Sequence, residues 1–103
     1  MIHTKTYRDF ERIEFNDLYD KKCSLQQSSL STDDAIWLGI NDPEPKIMAK
    51  DAAPLGIITS QSYGWISYPL PKEVSLTTRM HLTREQAAQL IPLLQRFVDT
   101  GEL

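Results

Sequence analysis

Apolar and polar positions alternate along Phe10-Glu11-Arg12-Ile13-Glu14-Phe15. With Ile13 and Phe15 on one side of an extended chain and Arg12 and Glu14 on the other, this stretch predicts a β-strand with one dry face. The polar run Asn16-Asp17-Leu18-Tyr19-Asp20-Lys21-Lys22 follows. Asn and Asp side chains bond readily to nearby backbone and tolerate unusual dihedrals, so a hairpin loop is expected there. Residues 23–29 read as the return strand. Cys23, Leu25 and Gln27 face one way and Ser24, Gln26 and Ser28 the other, a half-buried, edge-like alternation. Ser31-Thr32-Asp33-Asp34 is a second polar break. After it, Ala35-Ile36-Trp37-Leu38-Gly39-Ile40 is nearly continuous in apolar character, as a central strand is, with Trp37 as a core anchor.

Residues 41–54 carry three of the six prolines and no sustained period, which predicts a turn and an extended loop, a usual seat of variable function. Residues 55–59 and 64–68 read as two short strands joined through residues 60–63, and Pro69-Leu70-Pro71 then stops pairing because proline has no amide donor. Residues 74–82 read as a further strand with Val74, Leu76, Thr78, Met80 and Leu82 on one face.

The last segment is helical. Thr83 followed by Gln86 makes a capping box, Ala87, Leu90, Ile91, Leu94, Phe97 and Val98 form one apolar stripe, and Gly101 supplies the stop. Pro92 inside it removes one intrahelical bond at a cost of roughly 3 kcal/mol. Burial at about 1.5 to 3 kcal/mol per large side chain offsets that only where a sheet covers the stripe. The expected fold is α+β: a twisted antiparallel sheet of about five to six short strands, with the C-terminal amphipathic helix packed on one face. Residues 1–103 are read as a single domain, with residues 1–8 as its flexible part.

Composition narrows the function classes. Eleven Lys and Arg against fourteen Asp and Glu give a net charge of −3, which argues against a polyanion-binding stripe and hence against nucleic acid as partner. The N-terminal residues lack the apolar core of a secretory signal, and no run approaches membrane-spanning length, so a cytoplasmic protein without a membrane partner is expected. Cys23 is the single cysteine, with no CxxC neighbour, and reads as a small packed apolar group.

Catalytic chemistry finds little support. There is no GxSxG elbow, and His81 is the one histidine away from the N-terminus. The acids Asp33, Asp34, Asp42 and Glu44 are spaced as turn formers, no HxH or HExxH spacing exists, and the four glycines are too scattered to cradle phosphate. No catalytic residue, metal ligand or cofactor is assigned, and the chain is read as a non-enzyme.

Binding asks less of the sequence. Tyr63, Trp65 and Tyr68 around Pro69 and Pro71 are contact anchors of the kind protein partners use, although Trp65 itself reads first as a cap on the core. Arg79, His81 and Arg84 form a second candidate group, a small cationic patch able to hold an anion.

Several segments together resemble a group of small, mostly uncharacterised bacteriophage, prophage and bacterial accessory proteins. They are Cys23-Ser24-Leu25-Gln26-Gln27-Ser28-Ser29-Leu30, Asp34-Ala35-Ile36-Trp37-Leu38-Gly39, Gly64-Trp65, Thr78-Arg79-Met80-His81-Leu82-Thr83-Arg84-Glu85-Gln86 and Phe97-Val98-Asp99-Thr100-Gly101. The resemblance implies a short accessory protein inside a bacterial cell and assigns no active residue. The function expected is a binding module that occupies or inhibits a protein partner, with residues 41–54 and 63–68 as contact surfaces. The alternatives are an oligomeric protein that captures a nucleotide signal through Arg79, His81 and Arg84, and a self-assembling or virion subunit.

Overall fold

The computed structural model describes residues 1–28 and 34–103; of the polar break expected at residues 31–34, residues 31–33 lie outside them. The chain divides into two compact units, one of Met1–Asn41 with Thr78–Leu103 and one of Asp42–Thr77. The class is α+β as expected.

The first unit is a five-stranded antiparallel sheet, β1 (Ile2–Lys5), β2 (Glu11–Asn16), β3 (Lys22–Gln27), β4 (Ala35–Ile40) and β7 (Arg79–Thr83), in the order β1-β2-β3-β4-β7. Residues 2–5 therefore belong to the sheet, not to a flexible tail. A turn explains this: the Thr6 amide donates to the Phe10 carbonyl at 2.8 Å, the Thr6 hydroxyl accepts from the Phe10 amide at 3.1 Å, and Asp9 takes up φ 66°. Pairing with β1 puts β2 inside the sheet, and β3, expected at an edge, lies between β2 and β4. The loop after β2 closes as its composition predicts. Asp17 Oδ1 accepts from the amides of Tyr19 and Lys21, each at 2.9 Å, and Asp20 adopts φ 62°.

Register sorts the side chains into two faces, because directly opposed residues point the same way. One face carries the row Ile13, Leu25, Leu38, Met80, flanked by Phe15, Cys23 and Ile40 and by Ile36 and Leu82. The other carries Arg12, Gln26, Trp37 and His81 in one row and Glu14, Ser24, Gly39 and Arg79 in the next. Cys23 and Ala35 are buried, as is Ser24, whose hydroxyl donates to Asn41 Oδ1 at 2.7 Å.

Strand β7 is shorter than the residues 74–82 expected. Its partner β4 ends at Ile40, and the Thr78 hydroxyl closes the pairing by donating to the Ile40 carbonyl at 2.8 Å. At its other end β7 runs directly into α1 (Arg84–Thr100). The cap is as predicted: the Thr83 hydroxyl accepts from the Gln86 amide at 3.1 Å and Gln86 Oε1 accepts from the Thr83 amide at 3.0 Å. Gly101 ends the helix at φ 77° with its amide on the Phe97 carbonyl at 2.8 Å.

The expected packing of α1 across the sheet is limited to its first two turns, where Ala87 and Leu90 are half-buried. None of its residues is buried, and every residue from Ile91 onward is exposed. The reason is the junction. Thr83 is both the last residue of β7 and the helix cap, so no loop is available to turn the helix back over the strands.

The second unit pairs β5 (Lys46–Met48) with β6 (Trp65–Ser67) and adds short 3-10 turns at Ala49–Asp51 and Ala53–Leu55. Its core is Ala49, Ala52 and Ile66, with Ile47 and Ile57 against them. Part of the loop expected over residues 41–54 is thus regular structure. Pro45 still serves through its carbonyl, which accepts from the Tyr68 amide at 2.9 Å, and Pro54 sits in the first turn of a 3-10 segment where its missing donor costs little. The strand expected at residues 55–59 is absent, because Gly56 takes a left-handed φ of 75° and the Ile57 amide turns back to the Ala52 carbonyl at 3.0 Å.

Candidate functional site

The polar face of the five-stranded sheet holds the densest chemistry. Trp37 on β4 lies directly opposite His81 on β7, and the two rings stack with centroids 4.9 Å apart and planes 4° from parallel. Arg79 is two residues from His81 on the same face, and its guanidinium carbon sits 5.7 Å from the Trp37 ring centroid, within cation–π range. Arg79 Nη1 also donates to Gln26 Oε1 at 3.4 Å. On β2, Arg12 pairs with Glu14 at 3.3 Å. The sheet thus presents an imidazole, an indole and a guanidinium held together by ladder register rather than by loops.

Gly39 makes that arrangement possible. It faces Arg79 across the ladder, and a Cβ there would stand 2.3 Å from the Thr78 carbonyl oxygen and 2.8 Å from Arg79 Cα. Only a residue without a side chain lets β7 come this close to β4.

Two donors of this face, Arg12 Nε and Trp37 Nε1, are buried without an acceptor among the described residues. A buried donor left unpaired costs about 1 to 3 kcal/mol, so the face carries more donors than its own acceptors satisfy.

Sequence expectations meet this geometry unevenly. Arg79 and His81 are brought onto one indole. Arg84 instead pairs with Asp34 at 3.4 Å, and both of those side chains are well exposed, so the structure does not show the three side chains sharing one contact. Trp37, expected as a core anchor, lies on the polar face and is half-buried. The sequence signal that places it there is the register of Arg12, Gln26 and His81, visible only once the strands are aligned.

In the second unit, Tyr63 and Trp65 are 83% and 64% exposed, and Tyr68 is half-buried. Trp65 is therefore not the core cap it first reads as. The strand's period of two turns Ile66 inward and leaves Trp65 and Ser67 outside.

The buried nucleophile types are occupied otherwise: Ser24 donates to Asn41, and Cys23 Sγ donates to the Lys21 carbonyl at 3.5 Å. Among the described residues no group of three or more His, Cys, Asp or Glu could hold a metal ion, and no helix is long and apolar enough to cross a membrane. Comparison with family models, with curated proteins and with solved structures finds no match.

Proposed function

We propose that the chain is a non-enzymatic binding module, an accessory protein of phage origin that acts inside the bacterial cell by occupying a protein partner. The observation that carries this reading is the Arg79, Trp37 and His81 stack on the polar face of the sheet. Arg and Trp are the residue types that dominate interface energetics, and here backbone pairing fixes them in advance, which lowers the ordering cost of binding. The Arg79 guanidinium beside the indole favours a partner segment that presents carboxylates or carbonyls. Exposed Tyr63 and Trp65 in the second unit are of similar contact type.

The test is capture from host or infected-cell lysate with tagged protein, run in parallel with Trp37→Ala and Arg79→Ala. A stoichiometric partner held by the parent and lost in both variants supports the reading. No partner, or one held equally by all three, defeats it.

A second reading rests on the same guanidinium. A small anion, such as the phosphate of a nucleotide signal, suits Arg79 as well as a peptide carboxylate does. Thermal stability against a nucleotide panel separates the two: a ligand at a hundredfold excess over its Kd adds about 2.7 kcal/mol. The absence of any shift removes this alternative.

A further inference from the structure

The helix α1 poses a stability problem that the described residues of its own unit do not solve. Seventeen residues with Pro92 in the interior are marginal as an isolated helix in water, even with a capping box and a glycine stop. From Ile91 onward its stripe nevertheless stays in solvent: Ile91 is 65%, Leu94 57%, Phe97 53% and Val98 75% exposed. For side chains of aromatic or large aliphatic size these fractions leave roughly 500 Å² of apolar surface, and half-exposed Leu93 adds roughly 100 Å².

We infer that a second copy of this chain covers the stripe, helix against helix about a twofold axis and antiparallel. Two stripes of that size bury roughly 1,200 Å² together, which reaches the lower bound of a specific interface. An isologous contact needs a patch complementary to itself, and the stripe is one: Leu94 is central, Leu90 and Ile91 lie one turn before it, and Phe97 and Val98 one turn after it. Antiparallel pairing sets Phe97 of each copy over the Leu90 and Ile91 region of the other, as ridges meet grooves.

Charge supports the same orientation. The last turn of α1 has no basic residue and carries Asp99, with Glu102 beyond the helix, so acid sits where the helix dipole is already negative. An antiparallel neighbour brings its helix N-terminus, the positive end of the dipole, toward that acid, while the side chains of Arg84 and Glu85 in that turn offset each other. A parallel pair would align the two unfavourable ends.

This inference does not depend on the partner-binding reading, since the stripe and the Trp37 face are separate surfaces of the same unit. The experiment is sedimentation of the parent, Leu94→Glu, Phe97→Ala and, as a polar-face control, Gln95→Ala, with far-UV circular dichroism at each concentration. The parent is expected to be a dimer at tens of micromolar. Phe97→Ala should raise the dimer Kd about 100-fold, since each interface loses two rings, and Gln95→Ala should change it less than threefold. Leu94→Glu should be monomeric with reduced helical signal, although glutamate is itself a good helix former. Backbone amide spectra of β2 to β4 verify that the sheet remains folded in each variant. A parent that is monomeric with full helical content overturns the inference. So does an oligomer whose affinity neither stripe substitution changes, or a monomer whose stripe instead captures a different protein.

Discussion

Substituting alanine for Gly39 is expected to be the most damaging single-methyl change in the chain. The added Cβ would meet the Thr78 carbonyl oxygen at 2.3 Å and Arg79 Cα at 2.8 Å. An ordinary carbon contact lies near about 3.5 Å, so β7 must retreat by about 1 Å. Neither clashing atom belongs to a side chain that could rotate away. Retreat strains the pairing of Ala35 to Gly39 with Arg79 to Thr83, removes the bond from the Thr78 hydroxyl to the Ile40 carbonyl, and lifts Arg79 off Trp37. Overpacking alone costs about 1 to 3 kcal/mol and the weakened hydrogen bonds about 1 kcal/mol each, so a loss of about 3 kcal/mol is expected. In urea, at a slope near 1.5 kcal/mol per molar, the midpoint should fall by about 2 M. The assay follows Trp37 fluorescence in a Trp65→Phe background, where the exposed indole of the second unit is silent. A loss below about 1 kcal/mol, with β7 amides still protected from exchange, would refute the claim that close approach at Gly39 holds β7 in the sheet.

Three further outcomes follow from single contacts. Ser24→Ala removes the donor to Asn41 Oδ1 in a fully buried position and should cost about 1 to 2 kcal/mol by urea unfolding. Thr83→Ala breaks the capping box and should cost about 1 kcal/mol, read as lost helical ellipticity at fixed concentration, while Thr83→Ser stays within a few tenths. At the β1 edge, the hydrogen bond and charge of Lys5 at 2.9 Å hold the Glu11 carboxyl below the ordinary glutamate range, and Glu11 in turn raises Lys5. The Glu11 contribution is thus present above the unfolded glutamate range and lost as pH falls through its folded value; the Lys5 contribution is present below the ordinary lysine range and lost above it. Carboxyl chemical shifts of Glu11 should titrate low, and β1 amides should lose protection in acid in the parent but not in Glu11→Gln.

The local features of this fold are legible in the sequence because each rests on a few neighbouring residues. Alternation over residues 10–15, the Asp17 turn, and the Thr83, Gln86 and Gly101 signals are of this kind, and each appears where expected. What needs a distant partner is not legible. Residues 2–5 have no strand signature of their own and become β1 only by pairing with β2. Residues 74–78 have the alternation of a strand but face no β4 residue beyond Ile40, so they remain outside the ladder. The candidate site divides in the same way. Arg79 and His81 are identifiable from their place on the polar side of a strand. Arg12, Gln26 and Trp37 join them only through three successive registers, and a run as apolar as residues 35–40 hides which way Trp37 points.

The fusion of β7 to α1 at Thr83 leads to a last prediction, because it separates the helix from the apolar face of the sheet it would otherwise cover. That face has its own demand for cover: Met80 is 55% exposed, and Ile13, Phe15, Leu25 and Leu38 are half-buried. A strand can pass into a helix that folds back over it only through a connection, commonly of two to six residues. Inserting six Gly and Ser residues between Leu82 and Thr83 leaves the capping box intact and supplies up to about 20 Å of reach, against a sheet-to-helix spacing of about 10 Å. If the stripe and the sheet face are matched surfaces kept apart by the missing loop, the insertion should let α1 settle on its own sheet, and the dimer should give way to a monomer in which Leu94 and Phe97 are protected. Loop closure at this length costs little against burying five large apolar side chains. An insertion variant that remains dimeric with the parent's affinity would show that helix pairing has an origin other than the direct strand-to-helix junction.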